Sequence, residues 1–170
     1  TGAELASIAG EKAGILRFGV PAVIGHQEPA AWAAIEDQAE LVGAPLYLQN
    51  RDWAVEGLVD GGFRVRVGRA QIDLPMPALM GPHQIDNAGQ AVACLAHVPL
   101  AVNKIALATG MRSVAWPARL QKLASGPLHD MLPKGAELWL DGGHNPAAAR
   151  AIAAAIRSIN PDGPEPQPLI

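Results

Sequence analysis

The stretch VPAVIGHQEPAAWAAIEDQAELVGAPLYL, residues 20–48, decides the fold class. It opens with a short apolar run of the kind found in buried parallel strands. Pro29 is suited to the first turn of a helix, and Gly43 is suited to the position just after its end. Leu46–Leu48 is a second short apolar run. A strand, a helix and a strand at this spacing predict a βαβ unit, which is typical of a parallel sheet with helices on its faces.

The segments on either side of this unit have different patterns. Before it, apolar residues at helical spacing predict a helix that ends near Gly14. After it, residues 53–55 and Phe63–Val67 flank the hairpin turn signal Asp60-Gly61-Gly62. A third run follows at Ala70–Leu74. We therefore expect a small antiparallel meander after the βαβ unit.

The remainder of the chain returns to a helical pattern. One helix is predicted from Gln84 to near Pro99, and a second from an Asn103 cap through Met111. The pair Trp116-Pro117 interrupts this pattern, and we place a domain boundary there. Beyond it, a strand at residues 137–140 and an Ala-rich helix at residues 147–159 are predicted. The proline-rich residues 161–170 predict a loop.

Composition excludes several classes of protein. The chain has 170 residues, a net charge of -3 and 49% hydrophobic residues, which excludes an intrinsically disordered chain. The mildly acidic balance argues against nucleic acid as the main partner, because phosphate binding needs a concentrated basic face. Cys94 has no second cysteine to pair with, which fits a reducing cytosol. No apolar stretch approaches the roughly 20 residues that span a bilayer.

The strongest candidate for a functional site is the predicted strand–loop–helix transition at residues 140–149. Ligands of α/β proteins bind at such transitions, because free backbone N–H groups and the helix dipole meet there. Asp141 could accept a hydrogen bond from a ribose hydroxyl, and His144 offers an aromatic face or a ring N–H. By spacing alone it is equally acceptable that Asp141 and Asn145 only cap the helix that Pro146 starts.

Three weaker motifs accompany it. Lys12 stands in an apolar helix turn between small residues, and burying an ammonium group without a partner is costly; the pattern alone favours an ion pair with Glu11 or an exposed face. Residues 81–88 place four polar groups before an apolar helix, which is equally well explained by N-capping. Arg119 is a lone basic residue at the presumed domain boundary. His26, His97 and His129 lack a second ligand at metal-binding spacing.

Taken together, and in this order, these motifs resemble the folylpolyglutamate synthase/dihydrofolate synthase family of the Mur ligase superfamily. The matching pieces are IAGEKAGI at residues 8–15, HQIDNA at residues 83–88, WPARLQ at residues 116–121 and DGGHNP at residues 141–146. Ala118 stands where the family usually has glycine, and Gly143 where alanine is commoner. The resemblance extends from Ala3 to about Ile159.

The resemblance implies an ATP-dependent ligase that joins L-glutamate to dihydropteroate or to (poly)glutamylated folate through an acyl phosphate. ATP and Mg²⁺ would be its cofactors. Lys12 would be carbamylated, become a magnesium ligand and serve catalysis together with Arg119, which would contact the nucleotide phosphates. Asn87 would contact the nucleotide, Asp141 its ribose, and His144 would lie close to it.

The resemblance also implies a domain organisation. A P-loop ATPase domain precedes a smaller Rossmann-like domain in this family, with the active site between them. Residues 1–115 would be the last part of the ATPase domain, including the antiparallel meander, and residues 116–170 the beginning of the C-terminal domain. The phosphate loop, the pterin-binding segment and the other magnesium ligands of the family have no counterpart in this chain. The sequence is therefore expected to be an internal fragment, inactive alone.

Two other functions remain open at this point. A peptidoglycan-precursor ligase of the same superfamily is one, although the pairing of the lysine and His-Gln motifs favours the folate branch. A non-catalytic nucleotide-binding module is the other. In each case the expected partners are small molecules rather than nucleic acid or membrane, and a cytoplasmic monomer is expected.

Overall fold

The computed structural model describes residues 2–159, which fold into a mixed α/β structure with three small sheets. The described helices are α1 Gly2–Ala13, α2 Pro29–Val42, α3 His83–Leu95, α4 Lys104–Ser113, α5 Pro127–Asp130 and α6 Pro146–Ile159. The described strands are β1 Ala22–Ile24, β2 Leu46–Leu48, β3 Trp53–Gly57, β4 Phe63–Val67, β5 Ala70–Leu74, β6 Gln121–Leu123 and β7 Leu138–Leu140. The loop predicted at residues 161–170 lies outside the described residues.

The predicted βαβ unit is confirmed. Strands β1 and β2 pair in parallel, with Val23 opposite Tyr47, and α2 connects them. Gly43 ends α2 with a φ of +68°, a left-handed conformation that glycine adopts at little cost. Helix α1 packs along α2, and a small apolar core including Ala13 and Ala39 fills the space between the two helices and β2.

The predicted meander is also confirmed. Strands β3, β4 and β5 form an antiparallel sheet in sequence order. Phe63 and Val65 on β4 are fully buried against α3, whereas Arg64 points to the opposite face, as the alternating pattern requires. There its guanidinium lies 2.6 Å from the Asp73 carboxylate.

Helix α3 approaches this sheet very closely because of one glycine. A Cβ atom added to Gly89 would lie 2.7 Å from the Cβ of Val55 on β3, well inside van der Waals contact. The glycine therefore sets the distance between α3 and the meander. Helix α3 also contacts β1 of the βαβ unit.

The second half of the chain differs from the predictions in two short elements. The helix with the Asn103 cap is confirmed, and Asn103 Oδ1 accepts a hydrogen bond from Ala106 N at 2.8 Å. The strand and the helix expected near the end are found as β7 and α6. Strand β6, which pairs antiparallel with β7, and helix α5 were not predicted. Strand β6 is mostly polar and so lacks the apolar run that marks the equally short β1 and β2, and the single turn of α5 is too short to show a helical period.

No described helix is long and apolar enough to cross a membrane.

Candidate active site

Two of the four motifs meet at the end of β7. Gly142 N donates to Ala118 O at 2.9 Å, which joins the loop after β7 to the segment before β6. The Asp141 carboxylate makes the same connection, because its Oδ2 accepts from Leu120 N at 2.8 Å. Its Oδ1 accepts from Gly143 N at 2.7 Å. The structure therefore brings Arg119 and Asp141 into adjoining loops although they are far apart in the sequence.

Arg119 lies between two residues of left-handed backbone. Ala118 has a φ of +55° and Leu120 a φ of +45°, and Leu120 is buried. A positive φ favours glycine, which accounts physically for the glycine that the resembling family usually carries where Ala118 stands. The Arg119 guanidinium is exposed, and its one hydrogen bond to another residue within 2–159 is a long one, 3.4 Å, to Ala118 O. Most of its N–H donors therefore face solvent and suit an anion.

The structure at the start of α6 shows which of Asp141 and Asn145 caps this helix. Asn145 Oδ1 accepts from Ala148 N at 2.9 Å, so Asn145 caps the helix as that alternative proposed. Asp141 does not cap α6, because the described donors to its two oxygens, Leu120 N and Gly143 N, both lie outside that helix. His144 is exposed, and its Nδ1 lies 3.2 Å from Gly142 O. The capping explanation is thus confirmed for Asn145 and wrong for Asp141.

The polar residues at the start of α3 do not cap that helix. The N-cap position is Pro82, which has no side-chain cap hydrogen bond. Gln84 is instead buried, and its Oε1 accepts from Asn87 Nδ2 at 3.1 Å. Its Nε2 lies 3.1 Å from His83 Nε2. Buried Gln84 therefore orients the exposed Asn87 side chain, and the N-capping interpretation of this motif is wrong.

A polar cluster that the sequence did not reveal links α3 to the carboxyl ends of β1 and β2. Gln49, directly after β2, accepts from His26 N at 2.8 Å and donates to Asp86 Oδ1 at 3.0 Å. Gln90 Nε2 donates to Val23 O at 2.9 Å. The carboxyl edge of a parallel sheet is where α/β proteins bind ligands. The position of Gln49 just after an apolar run was the available signal.

Lys12 lies apart from these contacts. It is exposed in the last turn of α1, and among residues 2–159 it forms no ion pair, with Glu11 or any other residue. The burial that made this lysine unusual in the sequence is therefore not found, and the exposed-face interpretation describes it. Within the same range no group of three or more His, Cys, Asp or Glu side chains is placed to hold a metal ion.

A cleft of about 330 Å³ lies at Arg119 and is lined by residues 78–80, 114–117 and 119–122 and by Trp139. The two sides of the predicted domain boundary also lie close together, since a Cβ atom built on Gly81 would be 3.5 Å from the Cβ of Ala155 in α6. A larger cavity of about 600 Å³, at the C-terminal end of α2, contains none of the predicted site residues. The smaller cleft is therefore the one that bears on the predicted site.

Comparison with known proteins gives one consistent result. No protein-family model matches the chain. The folylpolyglutamate synthase of Lacticaseibacillus casei is 29% identical over 170 residues, covering 93% of this chain and 37% of that enzyme. The dihydrofolate synthase/folylpolyglutamate synthase of Mycobacterium tuberculosis is 30% identical over 171 residues, covering 91% of this chain and 33% of that enzyme. The predicted resemblance to the folylpolyglutamate synthase/dihydrofolate synthase family is confirmed.

Solved structures agree with this result. A crystal structure of a bifunctional folylpolyglutamate synthase/dihydrofolate synthase with Mn, AMPPNP and L-glutamate bound matches 91% of this chain, with a TM-score of 0.73 and 32% identity. Escherichia coli FolC in complex with DHPP and ADP matches 93% of it, with a TM-score of 0.74 and 28% identity. Each match uses 34% of the solved chain. The chain spans about a third of the length of the proteins it matches, which fits the expected internal fragment.

Proposed function

We propose that this chain is part of an ATP-dependent ligase that joins L-glutamate to dihydropteroate or to a folate through an acyl phosphate. The similarity to folylpolyglutamate synthases over nine-tenths of the chain supports this proposal. The observation that carries it is the junction of residues 116–121 with residues 141–146. It gathers Arg119, Asp141 and His144, which the resemblance independently assigns to one nucleotide.

The same proposal assigns the chain to two domains. Residues 1–115 would be the last part of a P-loop ATPase domain, which the parallel β1–α2–β2 unit supports. Residues 116–170 would be the beginning of a Rossmann-like C-terminal domain, supported by the strand–loop–helix order of β7 and α6. The cleft beside Arg119 would then lie between the two domains. A nucleotide held there would contact both of them.

Each proposed nucleotide contact has a physical basis in this chain. The exposed Arg119 guanidinium can neutralise charge on a phosphate chain as a phosphoryl group is transferred. Each Asp141 oxygen uses one lone pair for a backbone N–H and keeps another for a ribose hydroxyl. His144 is exposed beside Asp141, and Asn87 is oriented by Gln84 from the first domain. These four side chains would bind and orient ATP.

The described residues do not by themselves form a magnesium site. Carbamylation would convert the Lys12 ammonium into an oxygen-donor anion of the kind that Mg²⁺ prefers. The exposed amine is accessible for that reaction, but no acidic cluster accompanies it within residues 2–159. Lys12 would therefore supply one ligand at most.

The test is a steady-state assay of the complete enzyme with dihydropteroate, L-glutamate and Mg·ATP. We expect phosphate release that depends on all three. Arg119→Ala should lower kcat more than it weakens ATP binding, because the charge of Arg119 is best matched to the phosphoryl group in transfer. Arg112→Ala, which removes an exposed arginine from the last turn of α4, is the matched control. Release that needs a peptidoglycan precursor instead of a pteridine would refute the folate assignment, and equal loss in both variants would refute the role of Arg119.

A further inference from the structure

Asp141 holds two backbone segments at once. Its carboxylate oxygens accept from Leu120 N at 2.8 Å and from Gly143 N at 2.7 Å. The first amide directly follows Arg119, and the second directly precedes His144. A half-buried carboxylate that accepts two backbone N–H groups restrains both loops, because hydrogen bonds to an ionised group are the stronger ones.

The Arg119 turn depends on such restraint. Left-handed backbone at Ala118 and Leu120 is unfavourable for residues that carry a Cβ atom, so the turn persists only where its surroundings impose it. The Arg119 side chain contributes little, since its described hydrogen bond is 3.4 Å long and returns to the neighbouring Ala118 O. The guanidinium is therefore placed by the backbone on either side of it.

We propose that Asp141 is a positioning residue for Arg119, in addition to any contact with a ribose. The carboxylate fixes the turn in which Arg119 stands, so that anion binding by the guanidinium depends on Asp141 even when the ligand has no sugar. The inference rests on the proposed function in one respect, namely that Arg119 binds phosphate. The restraint itself rests on hydrogen bonds between described residues.

The deciding variant is Asp141→Asn in the complete enzyme, and the probe is Mg·tripolyphosphate, which carries a phosphate chain and no ribose. An amide has one acceptor oxygen, so either Leu120 N or Gly143 N would face an NH₂ group. We expect tripolyphosphate binding to weaken roughly tenfold, the equivalent of one hydrogen bond to a charged group. Removing a negative charge beside an anion site would by Coulomb's law strengthen binding instead, so the sign of the change separates the two effects.

Two further variants make the result specific. Asp130→Asn makes the same charge change in exposed α5, outside both loops, and should leave tripolyphosphate affinity at the parent value. Asp141→Asn added to Arg119→Ala should cause almost no further loss, because the first acts through the second. Unchanged or tighter binding in Asp141→Asn, or a full additional loss in the double variant, would overturn the inference.

Hydrogen exchange separates failure of this inference from failure of the proposed function. Without ligand, at least one of the two peptides that contain the Leu120 and Gly143 amides should exchange about tenfold faster in Asp141→Asn than in the parent, because one of the two hydrogen bonds is lost. A parent enzyme that binds neither ATP nor tripolyphosphate would refute the proposed function, and the exchange rates would then decide the restraint. Equal exchange rates in the two proteins would refute the restraint whatever the ligand binding.

Discussion

Gly143, beside the Asp141 carboxylate, stands in a space that a methyl group cannot enter. A Cβ atom at this position would lie 2.8 Å from Ile152 Cδ1, 2.9 Å from the Cβ of Ala148 and 3.0 Å from Asp141 Oδ1. Carbon atoms in contact are normally about 3.5–4.0 Å apart. We therefore expect Gly143→Ala to push α6 and the loop apart, although the resembling family commonly has alanine here.

The size of the effect follows from what has to move. Ile152 Cδ1 is the end of a flexible side chain and can rotate, whereas the Cβ of Ala148 moves only with the α6 backbone. Overpacking of this kind lowers the free energy of unfolding by about 1–3 kcal/mol. Ile152→Val alone, which removes the Cδ1 atom of this contact, would lower the free energy of unfolding by about 0.5–1.5 kcal/mol. In the double variant the two losses should be less than additive, because the contact that each disturbs is the same.

Gly142→Ala is the matched control, since its Cβ atom would meet Arg119 Nη1 at 3.4 Å and Ala118 O at 3.6 Å, ordinary contact distances. Loss of glycine entropy in the unfolded chain should leave this variant neutral or stabilised by about 0.4–1 kcal/mol. Urea unfolding followed by tryptophan fluorescence compares these four variants with the parent. Equal unfolding free energies for Gly142→Ala and Gly143→Ala would show that α6 adapts freely, and the close-packing argument would be refuted.

Two other predictions concern charged residues in the first half of the chain. Lys12→Ala should abolish most activity of the complete enzyme, and added short-chain carboxylic acids should restore part of it. An unmodified Lys12 amine in crystals grown with bicarbonate and Mg·ATP would contradict carbamylation. The Arg64 guanidinium beside Asp73 holds the pKa of that carboxyl below its ordinary value of 3.8. The ion pair between Arg64 and Asp73 should therefore stabilise the fold fully above about pH 5 and lose this effect as the pH falls through the lowered pKa. The urea midpoints of Asp73→Asn and of the parent should then converge in acid. A difference between the two midpoints that does not depend on pH would contradict the assignment.

The elements that were predicted from the sequence are those with a clear local sequence pattern. Apolar runs marked β1, β2 and the three meander strands, and Gly43 and the Asp60-Gly61-Gly62 turn marked where the chain reverses or a helix ends. Strand β6 escaped prediction because Gln121-Lys122-Leu123 is mostly polar, unlike the equally short apolar runs of β1 and β2, and helix α5 because a single turn shows no period. The left-handed conformation at Ala118 and Leu120 escaped because neither residue is glycine.

The missing parts of the candidate site are those that depend on long-range contacts. Gln49 and Asp86 are 37 positions apart and meet only because α3 packs across the carboxyl ends of β1 and β2. Asp141 was singled out in the sequence, but its hydrogen bond to Leu120 depends on the pairing of β6 with β7, which was not predicted. Local patterns therefore found candidate residues, and tertiary packing decided what each of them contacts.

The energetics of the Arg119 turn explain why a carboxylate stands at the end of β7. Left-handed backbone at Ala118 and Leu120 costs roughly 1–2 kcal/mol for each residue. The bond from Leu120 N to Asp141 returns about 1.5–3 kcal/mol, and the neutral bond from Gly142 N to Ala118 O about 0.5–1.5 kcal/mol. The conformational cost and the free energy of the two hydrogen bonds nearly cancel, so the turn is only marginally stable. Without the carboxylate it loses the stronger of these two hydrogen bonds. Asp141 thus has a structural role in this chain before any ligand binds, and a ribose contact would add to that role.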